Sequence, residues 1–125
     1  MKSTILRLFL LVFAVNFVAC SGDEPQYDEQ CYYVRYTAIA QPDRQIDMHF
    51  ANEDGDYTLI QSSRHDGKFE YCVGPVAKGF VANLVVSYSD GGAVSFLSIE
   101  VARGAEPFVL KKKGTDYFSL EYVVE

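Results

Sequence analysis

The sequence predicts an all-β chain: a small antiparallel immunoglobulin-like β-sandwich of about seven to eight strands after a cleaved signal peptide. Three observations predict it. From residue 31 onward apolar and polar residues alternate with the two-residue period of a strand, and no long stretch has helical period. β-branched and aromatic residues fill those alternating runs. Gly, Pro and Asp turn signals recur about every ten residues, the spacing of a sandwich.

The first segment, residues 1–19, is not part of that fold. Lys2 and Arg7 make a positive start, and residues 8–15 (LFLLVFAV) are continuously apolar. Such a stretch is too short and wrongly flanked for a stable membrane span, and reads as a targeting signal. It ends Phe17-Val18-Ala19-Cys20. An ordinary secretory signal ends on small residues; a cysteine just after the cut is the mark of lipid attachment. Val18-Ala19-Cys20 resembles the end of a bacterial lipobox, with Phe17 where Leu is usual. The resemblance implies a thiol acylated at Cys20 before cleavage.

Residues 20–30 are the tether. Ser21 to Gln26 is polar and acidic. Ser21 is unlike the Asp that retains many lipoproteins in the inner membrane, which implies an outer-membrane lipid anchor, periplasmic or surface-exposed. Asp23-Glu24 resembles the acidic export signal of Bacteroidota surface lipoproteins. A plain solvated linker accounts for that pair equally well.

Residues 31–125 form the single domain. Tyr32, Val34, Tyr36 and Ala38 share one face of a first strand, with Tyr33, Arg35 and Thr37 opposite. Pro42-Asp43 turns the chain. Ile46, Met48 and Phe50 alternate with Asp47 and His49 in a second strand. Asn52 to Asp56 is a hairpin connection, because Asp54-Gly55 supplies positive φ readily. A third strand runs from about Tyr57 to Gln61, and His65-Asp66-Gly67 turns. Phe69, Tyr71 and Val73 face one way in a fourth strand, which Gly74-Pro75 is expected to break. Residues 80–88 (FVANLVVSY) make the most apolar strand, expected at the centre of a sheet. After Asp90-Gly91-Gly92 comes a strand over residues 94–101, and then a tight turn at Arg103-Gly104-Ala105. Residues 108–111 and 117–124 are expected to form a last hairpin.

Cysteine usage divides accordingly. With Cys20 assigned to lipid, Cys31 and Cys72 remain as a pair in an oxidising compartment. The expected Cys31–Cys72 disulfide would tie the first strand to the fourth and stabilise the fold by about 3–4 kcal/mol in the chain-entropy model. No Cys-x-x-Cys supports a thioredoxin-like or zinc-ribbon reading.

The arrangement of Tyr32, Val34 and Tyr36, Asp54-Gly55, Gly79-Phe80 with Ala82 and Leu84, Gly91-Gly92 and Gly104 resembles small Bacteroidota lipoproteins. Their domain is similar to the C-terminal β-sandwich of mycobacterial MmpS-type transport accessory proteins. The resemblance covers about residues 31–124. It implies the fold, and as an alternative function an accessory or assembly subunit of an envelope machine. The Pro-Trp expected before the middle strand is missing, and the chain has no Trp.

Charge and motif content narrow the function. The whole chain carries a formal −6, and loss of Lys2 and Arg7 with the leader makes it −8. Such a surface repels phosphates, so no nucleic acid is expected as partner. No polybasic patch assists membrane binding, so the lipid is the anchor. His49 and His65 have no ligand spacing, and Glu53-Asp54-Gly55-Asp56 lacks the register of a calcium loop, so neither metal nor cofactor is expected. No Gly-x-Ser-x-Gly elbow occurs. No catalytic residues are assigned, and a small hydrolase is the least favoured class. Lys111-Lys112-Lys113 reads as a device that protects a sheet edge. The expected function is a non-catalytic, lipid-anchored module for a protein or glycan partner. Tyr33, Tyr57 and Tyr117, outward by alternation, are the candidate binding residues, although cross-strand tyrosine pairs would look the same in sequence.

Overall fold

The computed structural model describes residues 31–116 and 118–125. The leader, Cys20, the tether of residues 20–30, and Tyr117 lie outside the described residues.

Eight strands follow one another: β1 (Tyr32–Ile39), β2 (Ile46–Ala51), β3 (Tyr57–Ser62), β4 (Lys68–Val76), β5 (Val81–Tyr88), β6 (Phe96–Arg103), β7 (Val109–Thr115) and β8 (Ser119–Val123). They form two four-stranded sheets, in the orders β4-β1-β6-β7 (sheet A) and β3-β2-β5-β8 (sheet B). Every ladder is antiparallel. The chain crosses between sheets after β1, β3, β4, β5 and β7, and only β2–β3 and β6–β7 are hairpins. Because β1 pairs with β4 while β2 pairs with β5, the two crossings interlock and the sheets cannot separate independently.

Alternation places the core where the sequence expects it. Val34, Tyr36 and Ala38 of β1 meet Ile46, Met48 and Phe50 of β2 and Ala82, Leu84 and Val86 of β5 between the sheets. Tyr36 is wholly buried, and its hydroxyl donates to the Ala51 carbonyl at 2.8 Å, a bond from one sheet to the other. Burial pushes this phenol far above its ordinary pKa, so it stays a neutral donor. Its ring meets Phe50 at 5.1 Å between centroids, and Phe50 stacks on Tyr71 at 5.5 Å. β5 is an inner strand, as its apolar run predicts.

Three expectations are corrected. The last two strands are not a hairpin: β7 pairs with β6 and β8 with β5, in opposite sheets. Alternation reports which side chains face the core; it carries no information about which neighbour completes the ladder. Secondly, Gly74-Pro75 does not end β4, which continues to Val76. β4 is an edge strand, so the missing N–H of Pro75 breaks no ladder there. The pairing with β1 instead shifts register between Tyr32 and Val34.

The third correction is the disulfide: Cys31 and Cys72 are not joined. β1 and β4 are indeed neighbours, but Cys72 pairs with Arg35, and Cys31 lies beyond the Tyr32–Val76 pair. Four residues of strand separate Cys31 from that position, about 13 Å at roughly 3.3 Å per residue. A bridge requires Cα atoms within about 7 Å. Cys31 is buried and Cys72 exposed. Face parity is legible in the sequence, whereas strand register is not.

Gly74 holds a close approach in this region. Its φ is +142°, and a Cβ there would lie 2.6 Å from Cδ1 of Tyr33 and 2.9 Å from the Tyr32 carbonyl oxygen. Gly74→Ala is therefore expected to cost about 2–3 kcal/mol by strain and overpacking. A lowered urea midpoint with unchanged slope is the expected observation. An unchanged midpoint would mean the Tyr33 ring moves aside freely.

The two ends of the sandwich differ. One carries Cys31, the β2–β3 and β6–β7 hairpins and the C-terminus, with Gly104 N–H on the Cys31 carbonyl and Gly79 N–H on that of Val124, each at 2.7 Å. The other gathers the loops of residues 40–45, 63–67 and 89–95. They are tied by bonds from Ala40 N–H to Gly67, Asp43 N–H to Arg64 and Ser89 N–H to Gln45.

Candidate functional site

The outer faces of the two sheets differ in chemistry, although sheet A also exposes Ile39 and Leu110. On sheet A, register aligns Cys72, Arg35, Glu100 and Leu110 in one row and Glu70, Thr37, Ser98 and Lys113 in the next. Arg35 grips Glu100 with both arms, Nε to Oε1 at 2.9 Å and Nη2 to Oε2 at 2.8 Å. The guanidinium also lies 4.3 Å from the centre of the Phe108 ring and 4.0 Å from a Glu70 oxygen. The bond to Glu100 raises the Arg35 pKa further. Thr37 and Ser98 are buried in the row beside this pair. Sheet A thus pairs its charges on its own surface. Partial burial pushes the Cys72 thiol up, so it is a poor nucleophile despite Arg35 beside it.

Sheet B presents a different face. Its outer rows are Gln61, Asp47 and Ser87; Leu59, His49, Val85 and Ser119; Tyr57, Ala51, Asn83 and Glu121; and Val81 with Val123. Four of the polar members are bonded locally. Asp47 accepts from Ser89 Oγ at 2.7 Å and Gln61 Nε2 at 3.3 Å, and Asn83 donates to Glu121 at 3.2 Å. The apolar members are bare: Tyr57 is 61% exposed, Leu59 49%, Val81 46%, Val123 45% and Val85 37%. Five large apolar residues are exposed on this face: Tyr57 with Leu59 on β3, Val85 between His49 and Ser119, and Val81 with Val123 beyond the Asn83–Glu121 row. Apolar surface concentrated on one sheet face is a feature of contact sites.

The candidate tyrosines do not converge. Tyr57 stands on the outer face of sheet B, at its β3 edge. Tyr33 is half-buried on the outer face of sheet A, lying across Gly74. The whole thickness of the sandwich separates them. Leu59, Val81, Val85 and Val123 were not marked by sequence. Leu59 and Val123 carry no signal; that for Val81 and Val85 is the run in residues 80–88, which carries apolar residues at both parities. Such a run reads as a strand covered on both faces; here one face has no cover among the described residues.

No family model matches the chain, and no curated protein is similar to it in sequence.

Elsewhere the surface is organised for the fold. Asn52 Oδ1 accepts the N–H groups of Asp54 and Asp56, so the acidic loop is a hairpin turn built around Gly55. His65 meets Asp43 at 3.2 Å in the loop cluster. Arg44 lies 3.6 Å over the Tyr88 ring and bonds Asp90 at 2.9 Å, which holds the Asp90 carboxyl below its usual range. Among the described residues, no three His, Cys, Asp or Glu side chains converge on a metal position. A shallow cleft of about 230 Å³ opens between β7 and β8, lined by Tyr32, Val101, Val109, Tyr122 and Val124 among others. It is smaller than a usual ligand site of roughly 300–1,000 Å³. Lys111, Lys112 and Lys113 fall on β7, an edge strand, the position the edge-protecting reading requires.

Proposed function

We propose that this chain is a lipid-anchored envelope lipoprotein acting as a non-catalytic binding module, and that it docks a protein partner on the outer face of sheet B. One observation carries the reading: Tyr57, Leu59, Val81, Val85 and Val123 are all exposed on one sheet face, where Gln61 bonds Asp47 and Asn83 bonds Glu121. Apolar contact in the centre with a polar rim is the usual anatomy of a protein interface. The net charge favours a neutral or basic partner. Anchorage supports the same reading. β1 starts at Tyr32, at the end that also carries the C-terminus, so a tether from Cys20 holds that end toward the bilayer. Residues 22–30 extend to at most about 30 Å at roughly 3.3–3.6 Å per residue. The domain then stays near the membrane while free to rotate, within reach of a partner fixed in it.

The test is Val81→Thr, Val85→Thr and Val123→Thr combined, in the full chain. Threonine keeps β-branched shape and strand propensity while removing apolar surface. Unfolding is expected to stay cooperative, with recovery of the partner from detergent-solubilised membranes cut at least tenfold, about 1.4 kcal/mol. Equal recovery by the variant and the natural protein would place the contact on another surface.

A further inference from the structure

The four sheet edges are not protected alike. β7 carries three lysines and a register shift against β6. β4 has Pro75, Lys68 and Glu70, and β8 is only five residues long with Glu121 in the middle. These are the usual means of keeping an edge from pairing with another chain. β3 has none of them. Its sequence, Tyr57-Thr58-Leu59-Ile60-Gln61-Ser62, contains no charge, no Pro and no Gly, and it pairs with β2 over all six residues without a shift.

The hydrogen-bond phase of that ladder is fixed. Asn52 N–H donates to the Asp56 carbonyl at 2.7 Å. Bonded and non-bonded pairs alternate from there. Ala51–Tyr57, His49–Leu59 and Asp47–Gln61 are therefore the non-bonded pairs. The N–H and C=O groups of Tyr57, Leu59 and Gln61 point away from β2, toward an edge that no described strand occupies.

We propose that β3 is a strand-addition site for a second copy of this chain, pairing β3 to β3 antiparallel about a two-fold axis at Leu59. In that register Leu59 faces Leu59 and Tyr57 faces Gln61 of the other copy. All six outward backbone groups of each β3 find partners, making six hydrogen bonds. Self-pairing brings no like charges together, because β3 has none. The flanks differ in charge: Glu53, Asp54 and Asp56 precede the strand, and Arg64, 3.5 Å from Asp66 of its own chain, follows it, so each acidic hairpin approaches the loop that carries the other copy's Arg64. The product is a continuous eight-stranded sheet, closed by symmetry so that it does not propagate. This contact uses the backbone edge of sheet B; it shares Tyr57 and Leu59 with the proposed docking face but not Val81, Val85 and Val123.

A photo-crosslinking amino acid placed at Leu59 in the full chain, in cells, is expected to give a band at twice the monomer mass. The same probe at Lys112 on β7 should give none. Gln61→Pro removes one outward N–H at an edge position where the fold needs no donor. Leu59→Lys sets two like charges face to face. Each is expected to reduce the dimer fraction at least tenfold in sedimentation of the detergent-solubilised chain, whereas the Val81, Val85 and Val123 variant should leave it unchanged. A monomer with no doubled band, a Leu59 crosslink to a different protein in place of the doubled band, or a dimer that withstands Leu59→Lys would each overturn the proposal; a doubled band beside a crosslink to a different protein supports it.

Discussion

Cys20→Ala is expected to abolish fatty-acid labelling entirely and to leave the chain as an unprocessed precursor of full length. The reason is chemical. In the proposed lipoprotein the acylated group would be carried on the Cys20 sulfur, alanine has no sulfur, and cleavage would require prior acylation. The uncleaved variant would keep its apolar leader, so labelling and product mass, not membrane fractionation, carry the test. Metabolic labelling with a tagged fatty acid, read beside the mass of the product, tests this. A variant that still labels would refute the lipobox reading.

Tyr36→Ala is expected to be the most damaging change within the domain. The side chain is wholly buried between the sheets, touches Phe50, and carries the inter-sheet bond to Ala51. Truncating a buried aromatic typically costs about 3–5 kcal/mol, a large share of a total of roughly 5–15 kcal/mol. The Ala51 carbonyl also loses its hydroxyl donor. A fall in Tm of about 12–40 °C follows at roughly 4–8 °C per kcal/mol for a domain of this size. Tyr36→Phe keeps the ring and removes only the hydroxyl, so its cost should be near 1 kcal/mol. Calorimetry of the pair separates packing from the bond. If Tyr36→Phe cost as much as Tyr36→Ala, the hydrogen bond and not the ring would hold the sheets.

These residues also mark what a sequence of this kind discloses. The inward position of Tyr36, the Asp54-Gly55 turn and the inner placement of β5 all follow from period-two patterning and turn chemistry, which act over a few residues. Cys31 and Cys72 needed the register between β1 and β4, a relation between segments some forty residues apart, and local pattern does not contain it. The β7–β8 crossing fails for the same reason, since a strand alternates identically in either sheet. The contact face was half legible. Tyr57 was marked because tyrosine is amphipathic and stood at an outward parity. Val81 and Val85 belong to the run expected at the centre of a sheet, and its pattern does not tell them apart, because an apolar residue facing solvent and one facing a core have the same letter.

The most direct test of the central claim, that the outer face of sheet B is covered by a partner in the envelope, is the reactivity of one engineered thiol. Val85→Cys places it in the middle of that face, and Cys72 on the outer face of sheet A serves as an internal reference in the same chain. A hydrophilic maleimide is applied to intact envelopes and, separately, to the detergent-purified chain. The account predicts that labelling at position 85, relative to Cys72, falls at least tenfold in the envelope and recovers on purification. Equal relative labelling in the two preparations would contradict it.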